Sequence, residues 1–195
     1  MPPDNTDQPL RLGALIAEGY AAPRRSMARV LALRPDEGER LLMVGIGIVV
    51  SALGFALIGR PETEAGPGGV ILGYVAAVVM GLFQYFLFSF LVGLLSRAAG
   101  GTGDRDTDRT VVAWWSLVTA PLPVVMMAML RNGGESPMAA LVLLVCAILT
   151  LVLLAAYVAE GHGFRSTGRV IGAMFVILMI FSFVVSSIVP MPMPA

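Results

Sequence analysis

The sequence predicts an all-α integral membrane protein, a bundle of five transmembrane helices with amphipathic amino-terminal helices on the cytoplasmic surface. Of its 195 residues 57% are hydrophobic and only 13% are charged, and the mean hydropathy is +0.83. Soluble domains carry about 25% charged residues, so this composition belongs to the membrane class. Five long apolar stretches and an uneven distribution of arginine are the other observations that support this fold class.

Five stretches reach the roughly 20 apolar residues that a helix needs to cross a bilayer. None of them contains Asp, Glu, Arg or His. The second is longer than one crossing requires, so its helix should tilt or extend past the lipid boundary. The predicted spans are residues 41–58, 69–95, 111–130, 138–158 and 170–189. They divide the chain into a lead segment, residues 1–40, and a five-helix membrane domain, residues 41–195.

Two predicted helices begin with recognisable capping residues. Asp36 and Glu39 have the spacing of a capping box, which predicts the start of the first spanning helix. Ser136 followed by Pro137 predicts an N-cap with proline in the first helical position, at the start of the fourth. Between the second and third spans, closely spaced glycines and alternating charges predict a turn and a solvated, capped helix start.

The arginines determine the predicted orientation. With the amino terminus in the cytoplasm, eleven of the thirteen arginines lie on the cytoplasmic side, and only Arg60 and Arg131 lie opposite. Positive residues concentrate on the cytoplasmic side of membrane proteins, so the amino terminus is predicted to be cytoplasmic and, with five spans, the carboxyl terminus periplasmic. Trp114, Trp115 and Tyr157 are expected at the cytoplasmic membrane interface.

The lead segment is too short to bury a core of its own, but it has helical patterning. We expect two short amphipathic helices that lie on the cytoplasmic leaflet, with Arg24, Arg25 and Arg29 in contact with anionic lipid headgroups. The alternative is that these helices pack beneath the bundle as a plug.

Small residues follow one side of the second span. Gly73, Ala77 and Gly81 recur at four-residue spacing, and Gln84 extends the same stripe with a side-chain amide. Small residues let a second helix approach closely, and an amide there can hydrogen bond across the contact. The stripe therefore predicts a helix-packing or partner interface, either within the chain or with another membrane protein.

The third span contains two prolines. Pro121 and Pro123 lack an N–H and crowd the carbonyl groups of Leu117 and Thr119, so the helix should kink near its middle. Transporters use broken helices to expose backbone groups to a ligand, but kinks are also common in inert bundles. We favour the structural interpretation.

The residue types exclude several kinds of chemistry. The chain has no Lys, which removes the Walker lysine and Schiff-base chemistry. Cys146 is the only cysteine and His162 the only histidine, which is too few for a disulfide framework or a zinc site. Glu160 and His162 lie two residues apart in a short turn, and we interpret them as turn polarity. No enzyme activity, cofactor, metal or nucleic-acid partner is predicted.

Several segments together resemble bacterial members of the Yip family, which is named for proteins that interact with Ypt/Rab GTPases. The resemblance rests on the lead segment GYAAPRRSMARVLAL, the loop GGTGDRDTDR, the span entry TVVAWW with TAPLP after it, and the turn AEGHGFRSTGR. It implies a compact five-helix bundle with a cytoplasmic amino terminus, here in the bacterial inner membrane. In eukaryotic members it implies a role in vesicle traffic through partner proteins, and it implies no catalytic residues.

The residues and the resemblance together favour a non-enzymatic interaction or scaffold protein that associates with another integral membrane protein or complex. Its expected surroundings are the lipid bilayer, with anionic headgroups at the cytoplasmic face. The alternative is a small transporter or lipid-handling channel that uses the kinked third span and Gln84.

Overall fold

The computed structural model describes residues 12–58, 67–133 and 136–188. Within these ranges the chain is helical, without strands. The helices follow in the order α1 (Leu12–Ala21), α2 (Pro23–Leu33), α3 (Glu37–Ile58), α4 (Pro67–Ala98), α5 (Arg105–Thr119), α6 (Pro121–Gly133), α7 (Pro137–Gly161) and α8 (Thr167–Ile188).

Side chains cap α3, α5 and α7. The N–H of Asp36 donates to Glu39 Oε2 at 2.9 Å and the N–H of Glu39 donates to Asp36 Oδ1 at 2.8 Å, so the predicted capping box is confirmed. Ser136 caps α7 through the N–H three residues on, at 3.1 Å, which confirms the second predicted cap. Asp104 caps α5, which therefore begins before the predicted third span at residue 111.

Three described helices are long and apolar enough to cross a membrane: α3, the Ile71–Ala98 part of α4, and α7. α5 and α6 together form a fourth candidate, in which the chain bends by 41°. The described apolar part of α8, Thr167–Val176, is shorter than a span, and the predicted end at residue 189 lies outside the described residues. The described chain thus provides three to four spans, and the fifth stays a prediction.

The best-packed part of the bundle lies at the end where α1 and α2 are found. α2 packs against α7 and α5, and α1 packs against α2 and α5. Met27 and Val30 of α2 are buried, as are Trp114 of α5 and Tyr157 of α7. The amino-terminal helices therefore pack beneath the bundle, as the alternative interpretation had it, and protein covers their apolar sides. Trp114 and Tyr157 are covered by protein at this end, and their position at the membrane interface stays a prediction.

The opposite half of the bundle is more open. α4 makes its main contacts with α3 and α5, and Tyr85, Ser89 and Val92 in its second half are buried. In its first half, residues 71–80 are all exposed. Since these mostly apolar residues lie in a candidate span, lipid or another membrane helix must cover them in a bilayer.

Candidate functional site

A buried polar cluster, formed by Arg97, Asp108 and His162, joins three helix ends. Arg97 lies in the last turn of α4, Asp108 in the first turn of α5, and His162 directly after α7. Arg97 Nη1 donates to Asp108 Oδ2 at 2.9 Å, and His162 Nε2 lies 3.0 Å from Asp108 Oδ1. The side chains of Asp108 and His162 are 4% and 0% exposed, whereas that of Arg97 is 44% exposed. The cluster thus connects a buried carboxylate and imidazole to a solvent-accessible guanidinium.

Glycines surround the polar cluster and let the backbone segments come close. A Cβ at Gly93 of α4 would lie 2.0 Å from Asp108 Oδ2, and a Cβ at Gly103 would lie 2.7 Å from His162 Nδ1. Any larger residue at these positions would therefore displace the cluster. The N–H of Thr102 also donates to the carbonyl oxygen of His162 at 3.2 Å. The glycine-rich loop is therefore docked on the turn after α7, and the capped, exposed helix start predicted after it is confirmed at Asp104.

Burial lowers the pKa of His162 below its ordinary value of 6.5. Arg97 lowers this pKa further, while Asp108 and Asp104 raise it without overcoming the effect of burial. The imidazole is therefore neutral at pH 7. Its Nδ1 atom is buried and has no hydrogen-bond partner in the described part of the chain.

Polar contacts hold the amino-terminal helices to α5 and α7. The hydroxyl of Tyr157 in α7 donates to the carbonyl oxygen of Gly19 at 3.1 Å, and that of Tyr20 in α1 donates to a main-chain carbonyl of α5. Arg24 of α2 pairs with Glu160 of α7 at 2.9 Å. These contacts join parts of the chain that are 98 to 138 residues apart in sequence. The end of the bundle with α1 and α2 is thus a single packed unit.

The three arginines predicted to touch lipid headgroups have partners within the protein. Arg24 contacts α7, as described, while Arg25 and Arg29 both pair with Glu18 at 3.1 Å and 2.8 Å. The side chains of Arg25 and Arg29 nevertheless stay 71% and 48% exposed. Contact between these arginines and lipid remains a prediction.

Glu160 and His162 are more than turn polarity, and that interpretation is wrong. Each contacts a charged residue on another helix: Glu160 pairs with Arg24 of α2, and His162 contacts Asp108 of α5. The sequence held one signal of this role, because glycines flank the single histidine on both sides, and small neighbours allow other backbone segments to pack closely around a polar side chain. Among the described residues, no group of three or more His, Cys, Asp and Glu side chains is arranged to hold a metal ion.

The small-residue stripe of α4 has a packed part and an open part. A Cβ at Gly81 would lie 2.5 Å from Ile48 Cδ1, so α3 packs directly over this glycine. An added Cβ at Gly73 would meet nothing within 4 Å, and Ala77 is exposed. Gln84 is exposed as well. The stripe is therefore internal at Gly81 and uncovered at Gly73 and Ala77.

Pro121 and Pro123 lie directly after a break between two helices. α5 ends at Thr119 and α6 begins at Pro121, with the 41° bend between them. Proline lacks the N–H that would continue the helical hydrogen bonds across this point. Ser51 Oγ of α3 donates to the carbonyl oxygen of Ala120 at 3.1 Å, so a main-chain acceptor at the break has a side-chain partner.

A half-enclosed cavity of about 950 Å³ lies beside this break. Its walls come from α3, α4 and α7, and the α5–α6 break closes one side. Four serine and threonine hydroxyls line it together with Tyr85, and Gln84 adds an amide. Each of the serine and threonine hydroxyls donates to a main-chain carbonyl, at 2.7 to 3.1 Å; they belong to Ser51, Ser116, Thr119 and Thr150. The hydroxyl of Tyr85 is buried and has no hydrogen-bond partner among the described residues. The cavity is therefore mainly apolar.

Comparison with known proteins identifies the family. The profile of the Yip1 domain matches residues 20–188, from the end of α1 to the end of α8. No curated protein and no solved structure matches the chain. The match includes the packed end of the bundle, the polar cluster and the cavity, and it confirms the resemblance to the Yip family. With its apolar helices of spanning length, this chain belongs to the Yip1 domain family of multi-pass membrane proteins.

Proposed function

We propose that this protein is a membrane scaffold without enzymatic activity that binds another integral membrane protein through the amino-terminal half of α4. The Yip1 family is not a known enzyme family. The observation that carries the proposal is the open part of the stripe, where Gly73 and Ala77 are uncovered in a helix of spanning length. Small residues at four-residue spacing form a groove that admits a second helix backbone.

The occupant of this groove is a transmembrane helix of the partner. Apolar lipid chains gain little by moving from the bilayer to an apolar protein surface, whereas two helices gain van der Waals contact when small residues let them approach. Such a contact already exists on α4, because Ile48 of α3 packs directly against Gly81. Gly73 offers the same kind of surface roughly two turns earlier.

The test uses Gly73→Leu, with Val75→Leu as the matched control. Both positions are exposed, and they lie about 200° apart around α4. A photo-crosslinking amino acid at position 73 should trap a protein adduct of one mass, while the same amino acid at 75 should not. Leucine at 73 should fill the groove and lower recovery of that protein several-fold in mild detergent. Equal adducts at both positions, or undiminished recovery with Gly73→Leu, would refute the proposal.

We further assign the protein to the bacterial inner membrane, with the α1–α2 end in the cytoplasm and the carboxyl terminus in the periplasm. The distribution of eleven arginines against two supports this orientation. The exposed side chains of Arg25 and Arg29 would then face anionic headgroups. Reporter fusions after Arg105 and after Ala195 should be active in the cytoplasm and the periplasm respectively, and one shared compartment would contradict five spans.

A further inference from the structure

We propose that the cavity beside the α5–α6 break binds an acyl chain of a membrane lipid. Besides residues of α5, α6 and α8, its lining includes residues between positions 44 and 55 of α3, 77 and 88 of α4, and 147 and 154 of α7. These are the middle parts of the three helices that are long and apolar enough to span. The cavity therefore lies at the depth of the hydrocarbon, where acyl chains are the abundant small ligand. This inference does not depend on the partner proposed for α4.

The chemistry of the lining favours a hydrocarbon ligand over water. A buried water needs two to four polar partners, and apolar cavities stay dry or take apolar ligands. Here the hydroxyls of Ser51, Ser116, Thr119 and Thr150 already donate to main-chain carbonyls. They present mostly carbon to the cavity. Gln84 and Tyr85, whose buried hydroxyl has no partner among the described residues, are the other polar lining residues, and an acyl chain makes no use of them.

The size and the opening of the cavity also fit such a ligand. Its volume of about 950 Å³ is at the upper end of the range of about 300–1,000 Å³ that small-molecule sites occupy. Well-packed interiors hold few voids larger than a water molecule, so this space is not ordinary packing. Because α4 makes its main contacts with α3 and α5 and few with α7, we place the opening between α4 and α7, with Phe175 of α8 among the lining residues. A lipid chain can enter there without leaving the hydrocarbon.

A chain in the cavity contacts protein on several sides, unlike a lipid on the outer surface of the bundle. It should therefore remain when detergent replaces the surrounding lipid. The purified protein is reconstituted into vesicles of phosphatidylglycerol and phosphatidylethanolamine and then extracted with detergent. It should retain lipid that native mass spectrometry detects. A phospholipid with a diazirine in its acyl chain should label peptides that contain Ala77 or Ala147, both of which line the cavity.

Ala147→Phe fills the cavity, and Val145→Phe is its control on the exposed surface of α7 outside the cavity. Retained lipid should fall several-fold with Ala147→Phe and stay unchanged with Val145→Phe. Ala52→Phe fills the space from the α3 wall, outside the groove proposed for a partner, and keeps the test valid if the first variant does not fold. Gln84→Leu should retain lipid as the unaltered protein does. Equal retention in both phenylalanine variants of α7, no retained lipid at all, or loss of lipid with Gln84→Leu would overturn the proposal.

Discussion

Gly93→Ala is expected to destabilise the protein although it adds a single methyl group to a helix. The new Cβ would lie 2.0 Å from Asp108 Oδ2 and 2.5 Å from an Arg97 guanidinium nitrogen. Arg97 can move aside because its side chain is 44% exposed. Asp108 cannot, because its short side chain is 4% exposed and is held between Arg97 and His162. The substitution should therefore break the Arg97–Asp108 hydrogen bond and shift α4 from α5.

The magnitude follows from three contributions. Overpacking in a core costs about 2 kcal/mol. The hydrogen bond to a charged group contributes about 2 kcal/mol, a value near the lower end of the range because Arg97 is partly exposed. Alanine in place of glycine favours a helix by about 1 kcal/mol, which offsets part of the loss. The net loss of about 3 kcal/mol corresponds to a fall of roughly 6–12 °C in Tm for a chain of this size.

Thermal unfolding in detergent measures this effect, with Gly45→Ala as the control. Gly45 also lies inside a helix, but a Cβ there would meet nothing within 4 Å, so this variant should be as stable as the unaltered protein or slightly more. In a background of Asp108→Ser, which removes the carboxylate, Gly93→Ala should cost little. The reasoning is wrong if Gly93→Ala and Gly45→Ala unfold at the same temperature.

Three further perturbations test other parts of the fold. Because burial lowers the pKa of His162, the folded state binds fewer protons than the unfolded state, so its stability declines as the pH falls from 6.5 towards the lowered pKa. His162→Gln should weaken this decline in unfolding curves, and an unchanged decline would contradict the prediction. Gly81→Leu should lower the free energy of unfolding by about 1–3 kcal/mol, since even an added Cβ would clash with Ile48. An unaltered Tm would mean that α3 does not pack on this glycine. Arg24→Glu should lower the free energy of unfolding by about 0.5–1 kcal/mol, because it places two carboxylates together, and adding Glu160→Arg should restore this stability. Purely additive effects in the double-mutant cycle would mean that the pair is not formed.

Local chemistry made part of this fold predictable. The capping box of α3, the Ser136 cap of α7 and the spans of α3, α4 and α7 depend on neighbouring residues, and the break before Pro121 depends on a missing N–H. The small-residue stripe was predictable as a packing surface, but only the tertiary structure separates Gly81, which α3 covers, from Gly73, which it leaves open.

The polar cluster could not be predicted in the same way. Arg97, Asp108 and His162 come from three helix ends, and nothing in their spacing indicates that they meet. The burial of Trp114 and Tyr157 could not be predicted either, since aromatic residues at the ends of spans are typically interfacial. They are buried because α1 and α2 cover that end of the bundle, which is a long-range contact.

The tyrosine contacts between α7 and the amino-terminal helices also determine an order of events during synthesis. Gly19 accepts its hydrogen bond from Tyr157, 138 residues later in the chain. At about 5–20 residues per second, the ribosome makes this partner roughly 7–28 s after α1. During that interval the apolar side of α2, with Met27 and Val30, has no α7 to pack against. The helices that are translated first therefore complete their packing only after α7 has been made, and a nascent chain arrested before α7 would expose them to chaperones and proteases.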